Sequence, residues 1–196
     1  MKIVLASTSK YRQAVLKMIG LKYEVITSDE EEKSREIRPD KYVEEISLIK
    51  ATSVSKKIKD KAIIIAADMI IYFNGKKYEK PKTKQEAYNN LKELSGQKNT
   101  VYTGITIMDL YQNKTISLSS KVDVYLKDIS EEEIKWYVNN ENEIFKTCGY
   151  AIFGKAALFI DKIEGDHNIL LGISPRIIFE KLNELGYSVN DFEFEK

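Results

Sequence analysis

Hydroxyl and cationic side chains lie together at the first predicted strand-to-helix junction of this chain. The apolar run at residues 2–6 predicts a buried strand, and the sequence STSKYR at residues 7–12 then begins a helix. Helix starts normally favour acidic residues, because the helix dipole is positive there. Lys10 and Arg12 oppose this preference, and with Ser7 and the free N–H groups they could bind a phosphate. The alternative is that Ser7 or Ser9 is only an N-cap and that both cations are solvated.

A single aspartate, Asp68, follows a strongly apolar segment. The run AIIIAA at residues 62–67 predicts a central strand that is covered on both faces and ends at Asp68. Ligands of α/β sheets bind at strand ends, and a buried carboxylate is costly without a cation or hydrogen bonds. We therefore interpret Asp68 as a functional carboxylate; the alternative is that it only fixes the end of the strand.

Three further charged candidates are weak when each is considered by itself. Glu32 ends an acidic triplet in a polar loop, and such runs are usually solvated surface. Lys50 lies on an apolar helix stripe, where its stem could be buried and its ammonium could reach water. Lys80 precedes Pro81, which fixes the direction of the chain behind it.

The composition of reactive residues excludes several kinds of catalytic site. His167 and Cys148 are the only histidine and cysteine, which argues against a serine or cysteine triad and against a zinc site. Neither a Walker sequence nor GxGxxG is present. Carboxylates, lysines and arginine remain, and these suit magnesium-assisted phosphate chemistry.

Strand and helix patterns alternate along the chain, which predicts an α/β fold with a mixed central sheet. Asn74-Gly75 predicts a hairpin turn, and Thr83 and Ser130 each begin a capping box. A further strand is predicted at residues 156–163. We find no linker or repeat, so residues 1–196 are expected to form a single domain.

Length and charge limit the class of protein. The chain has 196 residues, enough for one core or two small lobes. A net charge of +1 argues against duplex nucleic acid as a partner. One cysteine fits a reducing compartment, and no apolar run approaches the roughly 20 residues that span a membrane. We expect a cytoplasmic protein without a membrane partner.

Taken in order, several segments resemble the Maf family of nucleoside triphosphate pyrophosphatases. The matching segments are LASTSKYR, LIKA, AADM, EKPKT, LSGQKNTVYTG, GYAIFG and IEGDHNILLGIS. The resemblance implies an inosine-triphosphate-pyrophosphatase-like α/β fold with two lobes around a cleft, often as a homodimer. It implies hydrolysis of a nucleoside triphosphate to a monophosphate and pyrophosphate with Mg²⁺ or Mn²⁺, removing unwanted nucleotides. One alternative keeps this fold and reaction but takes a modified purine triphosphate, such as inosine triphosphate, as its substrate. Because the family has also been linked to septum formation, a nucleotide-binding regulator of cell division is the other alternative.

The resemblance also implies roles for individual residues. Asp68 matches the catalytic carboxylate that activates water and contacts the metal, and Glu32 matches a metal-associated carboxylate. The positions that match phosphate-binding residues are Ser7, Arg12, Lys50 and Lys80.

Three positions depart from the family pattern where the base is chosen. Tyr11 lies in Lys10-Tyr11-Arg12, where the family usually has proline-arginine-arginine. Met69 replaces a threonine or glutamine, and Phe153 replaces a glutamine or glutamate. Tyr11 is similar to the tryptophan of the 7-methyl-GTP-type enzymes, whereas Tyr150-Ala151-Ile152 is similar to the dTTP/UTP type. The preferred base therefore stays open at this point.

Overall fold

A computed structural model of the chain describes residues 1–150, 152 and 154–195. Five α-helices and seven strands are found in this part of the chain. In chain order they are β1 (Ile3–Leu5), α1 (Lys10–Met18), β2 (Glu24–Val25), α2 (Pro39–Ser55), β3 (Ile63–Phe73), β4 (Lys76–Tyr78), α3 (Lys84–Leu94), β5 (Lys98–Asp109), β6 (Lys114–Leu126), α4 (Glu131–Asn140), β7 (Ile160–Glu164) and α5 (Pro175–Glu184).

The strands form one mixed sheet in the order β2-β1-β3-β5-β6-β7, with β4 paired to β3. β1 is parallel to both β2 and β3. β4 is antiparallel to β3, and β7 is antiparallel to β6. The predicted α/β class with a mixed sheet is therefore confirmed.

Two strand predictions were wrong. β3 does not end at Asp68 but continues to Phe73, because Ile70 and Ile71 are again buried. Asp68 is therefore a half-buried residue inside a long strand. The strand predicted at residues 156–163 begins with a 3₁₀ helix, Lys155–Phe159, and only Ile160–Glu164 pairs with β6.

The local turn and cap signals were more accurate. Asn74 and Gly75 have φ of 48° and 76°, as the predicted hairpin turn requires. Ser130 forms the complete capping box with Glu133. Thr83 accepts a hydrogen bond from the N–H of Glu86, but the Glu86 carboxylate accepts from the N–H of Lys82.

The chain divides into two units. The first comprises the described residues of Met1–Asp68, Thr103–Ser120 and Leu171–Lys196, and the second those of Met69–Tyr102 and Lys121–Leu170. The unit boundary falls within β3, between Asp68 and Met69. Within the described residues, no helix is long and apolar enough to cross a membrane.

In the first unit, α2 packs closely on the sheet. Ala51 and Val54 of this helix form a buried cluster with Val4, Ile64 and Ala66 of β1 and β3. Gly104 of β5 also permits this approach, since a Cβ there would lie 2.0 Å from the backbone oxygen of Val43 in α2. This packing fixes the position of Lys50, the residue before Ala51.

Candidate functional site

The loop between β1 and α1 holds Arg12 against Ser7. The buried Ser7 Oγ accepts hydrogen bonds from Arg12 Nη1 at 3.0 Å and from the N–H of Ser9 at 3.1 Å. Ser9, not Ser7, is the N-cap of α1, accepting from the N–H of Arg12 at 3.5 Å. The guanidinium of Arg12 is therefore held by the chain, whereas Lys10 is exposed. A cation and a hydroxyl at a helix N-terminus are a suitable set for binding phosphate.

Lys50 joins two carboxylates that are distant in sequence. Its Nζ lies 2.7 Å from Asp68 Oδ1 and 3.0 Å from Glu32 Oε2. The side chain of Lys50 is only 9% exposed and that of Asp68 15% exposed, whereas Glu32 is 52% exposed. Lys50 does not extend its ammonium into open water, and the acidic triplet is not simply a solvated surface. The structure brings together three of the residues that the resemblance singled out.

The Ser7–Arg12 loop and Asp68 belong to two neighbouring strands of the sheet, β1 and β3. β1 and β3 are parallel neighbours, and Leu5 is in register with Ile65. Ser7 follows Leu5 by two residues, and Asp68 follows Ile65 by three. Because the two strands point the same way, the Ser7–Arg12 loop leaves the carboxyl end of β1 on the side towards which β3 continues past Asp68.

The loop that carries Glu32 has further ion pairs to α2 and to the residues that follow it. Lys56 contacts Glu30 at 3.1 Å, and Lys57 contacts Asp29 at 2.5 Å. The N–H of Asp29 also donates to Ser53 Oγ at 3.3 Å. These carboxylates are mostly exposed, so each pair contributes at most about 1 kcal/mol. Together they hold residues 29–32, the acidic loop, along the helix that carries Lys50.

Gly172 lies in the first unit and was not among the site residues predicted from the sequence. It has a φ of +91°, and a Cβ built on it would lie 2.7 Å from Arg12 Nε and 3.2 Å from Arg12 Cγ. The side chain of Arg12 thus packs directly on the α-carbon of Gly172. The sequence signal was its place inside the segment IEGDHNILLGIS, but nothing in that segment indicated which side chain it faces.

The remaining predicted site residues are Lys80 and Met69 of the second unit, Tyr11 of the first unit, and Phe153. Lys80 is exposed and follows β4, whose last residue, Tyr78, is buried and donates to Glu93 at 2.5 Å. Met69 is half-buried, and its backbone oxygen accepts from Cys148 Sγ at 3.2 Å. Phe153 lies outside the described residues. Tyr11 is half-buried in the first turn of α1, in the first unit.

Asp68 and Glu32 are the described residues that fit a divalent cation best. Both already contact one positively charged atom, the Lys50 Nζ, so both carboxylates can be directed at a single cation. No cluster of three or more histidine, cysteine, aspartate or glutamate side chains suited to a metal occurs in residues 1–150, 152 and 154–195. This donor set fits Mg²⁺ or Mn²⁺ shared with a substrate, because Mg²⁺ is commonly held by one or two carboxylates together with phosphate oxygens.

A protein-family model described as Maf-like protein matches residues 2–185. The chain belongs to the Maf family. Among curated Maf relatives, the dTTP/UTP pyrophosphatase of Thermoanaerobacter sp. (strain X514) is 43% identical over 182 residues, which is 93% of this chain and 95% of that protein. The dTTP/UTP pyrophosphatase of Carboxydothermus hydrogenoformans is 38% identical over 187 residues, covering 95% and 100% of the two chains. The family resemblance stated from the sequence is confirmed.

Solved structures of other proteins match this chain with lower sequence identity than these relatives do. The Staphylococcus aureus Ham1 protein matches with a TM-score of 0.45 and 18% identity, over 65% of this chain and 73% of that chain. A similarity of this size supports no inference about the site of this Maf-family chain.

Proposed function

We propose that this chain is a nucleoside triphosphate pyrophosphatase that cleaves between the α and β phosphates and releases a monophosphate and pyrophosphate. The observation that carries the proposal is the contact of Lys50 with Asp68 and Glu32, in the same unit as the hydrogen bond between Arg12 and Ser7. The names of the curated relatives support the same reaction. Its role would be to remove unwanted nucleotides.

The residues divide into those that bind anions and those that prepare water. Ser7 and Arg12 hold phosphate oxygens through a hydroxyl and a guanidinium, and Lys50 and Lys80 add ammonium groups. Asp68 accepts a proton from the attacking water, as a general base positioned near the phosphate. Cations directed at the phosphates stabilise the negative charge that shifts to the leaving pyrophosphate.

We assign Glu32 and Asp68 as the protein ligands of Mg²⁺ or Mn²⁺. When bound, the ion neutralises phosphate charge and lowers the pKa of a coordinated water. Asp68 would hold the ion through a carboxylate oxygen or accept the proton of the water, and the more exposed Glu32 would hold the ion from its loop. Without the ion, the Lys50 Nζ holds both carboxylates near one point.

Gly172→Ala is expected to weaken triphosphate binding about tenfold more than Gly186→Ala does. The methyl group added at this position displaces the Arg12 guanidinium, and a charge-assisted hydrogen bond contributes about 1.5–3 kcal/mol. Gly186 is a matched control, because it has the same φ of +91° but no atom within 4 Å of a built Cβ. The measurement is calorimetric titration with a non-hydrolysable triphosphate. Equal losses in the two variants would contradict the assignment of Arg12 to phosphate binding by way of Gly172.

Lys80→Ala should weaken triphosphate binding by about 1.5–3 kcal/mol while leaving nucleoside binding nearly unchanged, because its ammonium is assigned to phosphate. Lys82→Ala, which removes an exposed lysine two residues away, is the control. Calorimetry with the nucleoside and with the triphosphate makes the comparison. Equal losses of affinity for the nucleoside and for the triphosphate in Lys80→Ala would show that this ammonium does not bind phosphate.

For the base, we propose that dTTP and UTP are substrates, as the names of the relatives suggest, with a broader range than strict members of the family show. Met69 and Phe153 offer apolar surface and few hydrogen bonds, and shape alone discriminates by only about 1–3 kcal/mol. Tyr11 can stack on a base.

The test of the base proposal is kcat/KM for dTTP, UTP, CTP, GTP, ITP and 7-methyl-GTP, in the wild type and in Met69→Thr combined with Phe153→Gln. We expect activity on several bases, with a narrower range in the double variant. A wild type that selects one base by several orders of magnitude, or a double variant with the same profile, would refute this.

A cytoplasmic location is proposed from the single cysteine. A homodimer, and a single domain over residues 1–196, stay predictions from the family resemblance and from the absence of a linker sequence.

A further inference from the structure

Lys50 differs from the other lysines that hold the acidic loop. Its Nζ contacts two carboxylates, Asp68 at 2.7 Å and Glu32 at 3.0 Å, whereas Lys56 contacts Glu30. The Lys50 side chain is 9% exposed and the Lys56 side chain 66% exposed. The ammonium of Lys50 is therefore a nearly buried counter-ion for the two carboxylates proposed to hold the metal.

Lys50 and a divalent cation compete for the same two carboxylates. An ion such as Mg²⁺ binds carboxylate oxygens at about 2.0–2.1 Å, and the Lys50 Nζ already lies within hydrogen-bond distance of one oxygen of each group. The sum of the charges also indicates that the ammonium and the divalent cation compete. Two carboxylates and one ammonium sum to one negative charge, so adding a divalent cation while the ammonium stays leaves one excess positive charge in a poorly hydrated place.

Binding of a triphosphate changes this sum of charges. Its negative charge offsets the excess positive charge and offers the ammonium new oxygen partners. Lysine suits such an exchange, because its ammonium is a compact charge on a flexible four-carbon stem. The α-carbon of Lys50 can stay fixed in the packed helix α2 while its Nζ moves from carboxylate to phosphate.

We propose that Lys50 is a displaceable counter-ion that competes with the divalent cation for Glu32 and Asp68 when nucleotide is absent and cooperates with it when nucleotide is present. This inference rests on the proposed metal assignment. Lys50 thereby couples the two binding events, so metal binds weakly alone and tightly together with the triphosphate. By thermodynamic reciprocity, the metal strengthens nucleotide binding by the same factor.

The test measures Mn²⁺ binding to the full chain without nucleotide, by electron paramagnetic resonance of the free ion. Lys50→Met, which keeps the stem length and removes the charge, is expected to bind Mn²⁺ about tenfold more tightly than wild type, within the usual range of coupling between two ligands. Lys56→Met is the matched control, since it removes a lysine that holds the same loop. We expect it to change Mn²⁺ binding by less than about twofold, as for an exposed ion pair.

The second measurement repeats the titration with a saturating α,β-methylene triphosphate. Wild type should gain more Mn²⁺ affinity from the analogue than Lys50→Met does, because the variant has no ammonium to transfer. A variant with unchanged or weaker Mn²⁺ binding in the absence of the analogue would overturn the inference. Lys50→Gln provides the same loss of charge with a polar end if the Met variant does not fold.

Two acidic variants separate this inference from the metal assignment. Glu32→Gln and Asp68→Asn should each weaken Mn²⁺ binding, both in the wild type and beside Lys50→Met. Unchanged Mn²⁺ binding in both acidic variants would remove the metal assignment together with the inference. If both acidic variants weaken Mn²⁺ binding but Lys50→Met does not strengthen it, the metal assignment stands and the inference about Lys50 is overturned.

Discussion

Asp68→Asn is expected to lower turnover by roughly 10²–10⁴-fold, the usual cost of losing a general base. Asparagine has nearly the same size and keeps one oxygen as an acceptor for Lys50 Nζ, which Asp68 contacts at 2.7 Å. The fold and much of the nucleotide affinity should therefore remain. The measurement is steady-state release of pyrophosphate from dTTP, together with calorimetric binding of a non-hydrolysable analogue.

The control for this prediction is Asp60→Asn, which removes an exposed carboxylate shortly before β3. It should leave turnover within about twofold of wild type, since exposed surface substitutions have small effects. Near-normal turnover in a folded Asp68→Asn variant would show that another group activates the water.

Chelation of divalent cations is expected to abolish activity. With EDTA, pyrophosphate release should fall to the level of the blank and return when Mg²⁺ or Mn²⁺ is added in excess. The physical reason is that Glu32 and Asp68 carry the same sign of charge as a triphosphate, so the divalent ion must supply positive charge near the reacting phosphate.

A control for chelation is the unfolding temperature, which should stay close to its original value in EDTA. The assigned ion is shared with the substrate and is not expected to hold the fold together. Full activity in a chelated sample whose residual metal has been measured would falsify this mechanism.

Local sequence signals predicted the elements of this fold better than the lengths of its strands. The Asn74-Gly75 turn and the Ser130 capping box act through their own backbone, so they are visible in a few adjacent residues. β3 was predicted too short, because a charged residue such as Asp68 resembles a strand end. It stays within the strand since Lys50, on another element, compensates its charge.

Only part of the candidate site could be predicted from the sequence, for a similar reason. Asp68 was indicated by its position after an apolar run, but Lys50 and Glu32 became informative only through the family resemblance. Their contact depends on how α2 packs against β1 and β3, which no local pattern encodes. Gly172 was missed because its meaning lies in the side chain it faces, Arg12, which is 160 positions earlier in the chain.

Identification of the products distinguishes cleavage between the α and β phosphates from cleavage between the β and γ phosphates. Purified wild-type chain is incubated with dTTP or UTP and Mg²⁺, and the products are followed by ³¹P nuclear magnetic resonance. Equal amounts of nucleoside monophosphate and pyrophosphate are expected. Formation of nucleoside diphosphate and inorganic phosphate would contradict this expectation, and so would tight nucleotide binding without turnover, the result expected of a nucleotide-binding regulator.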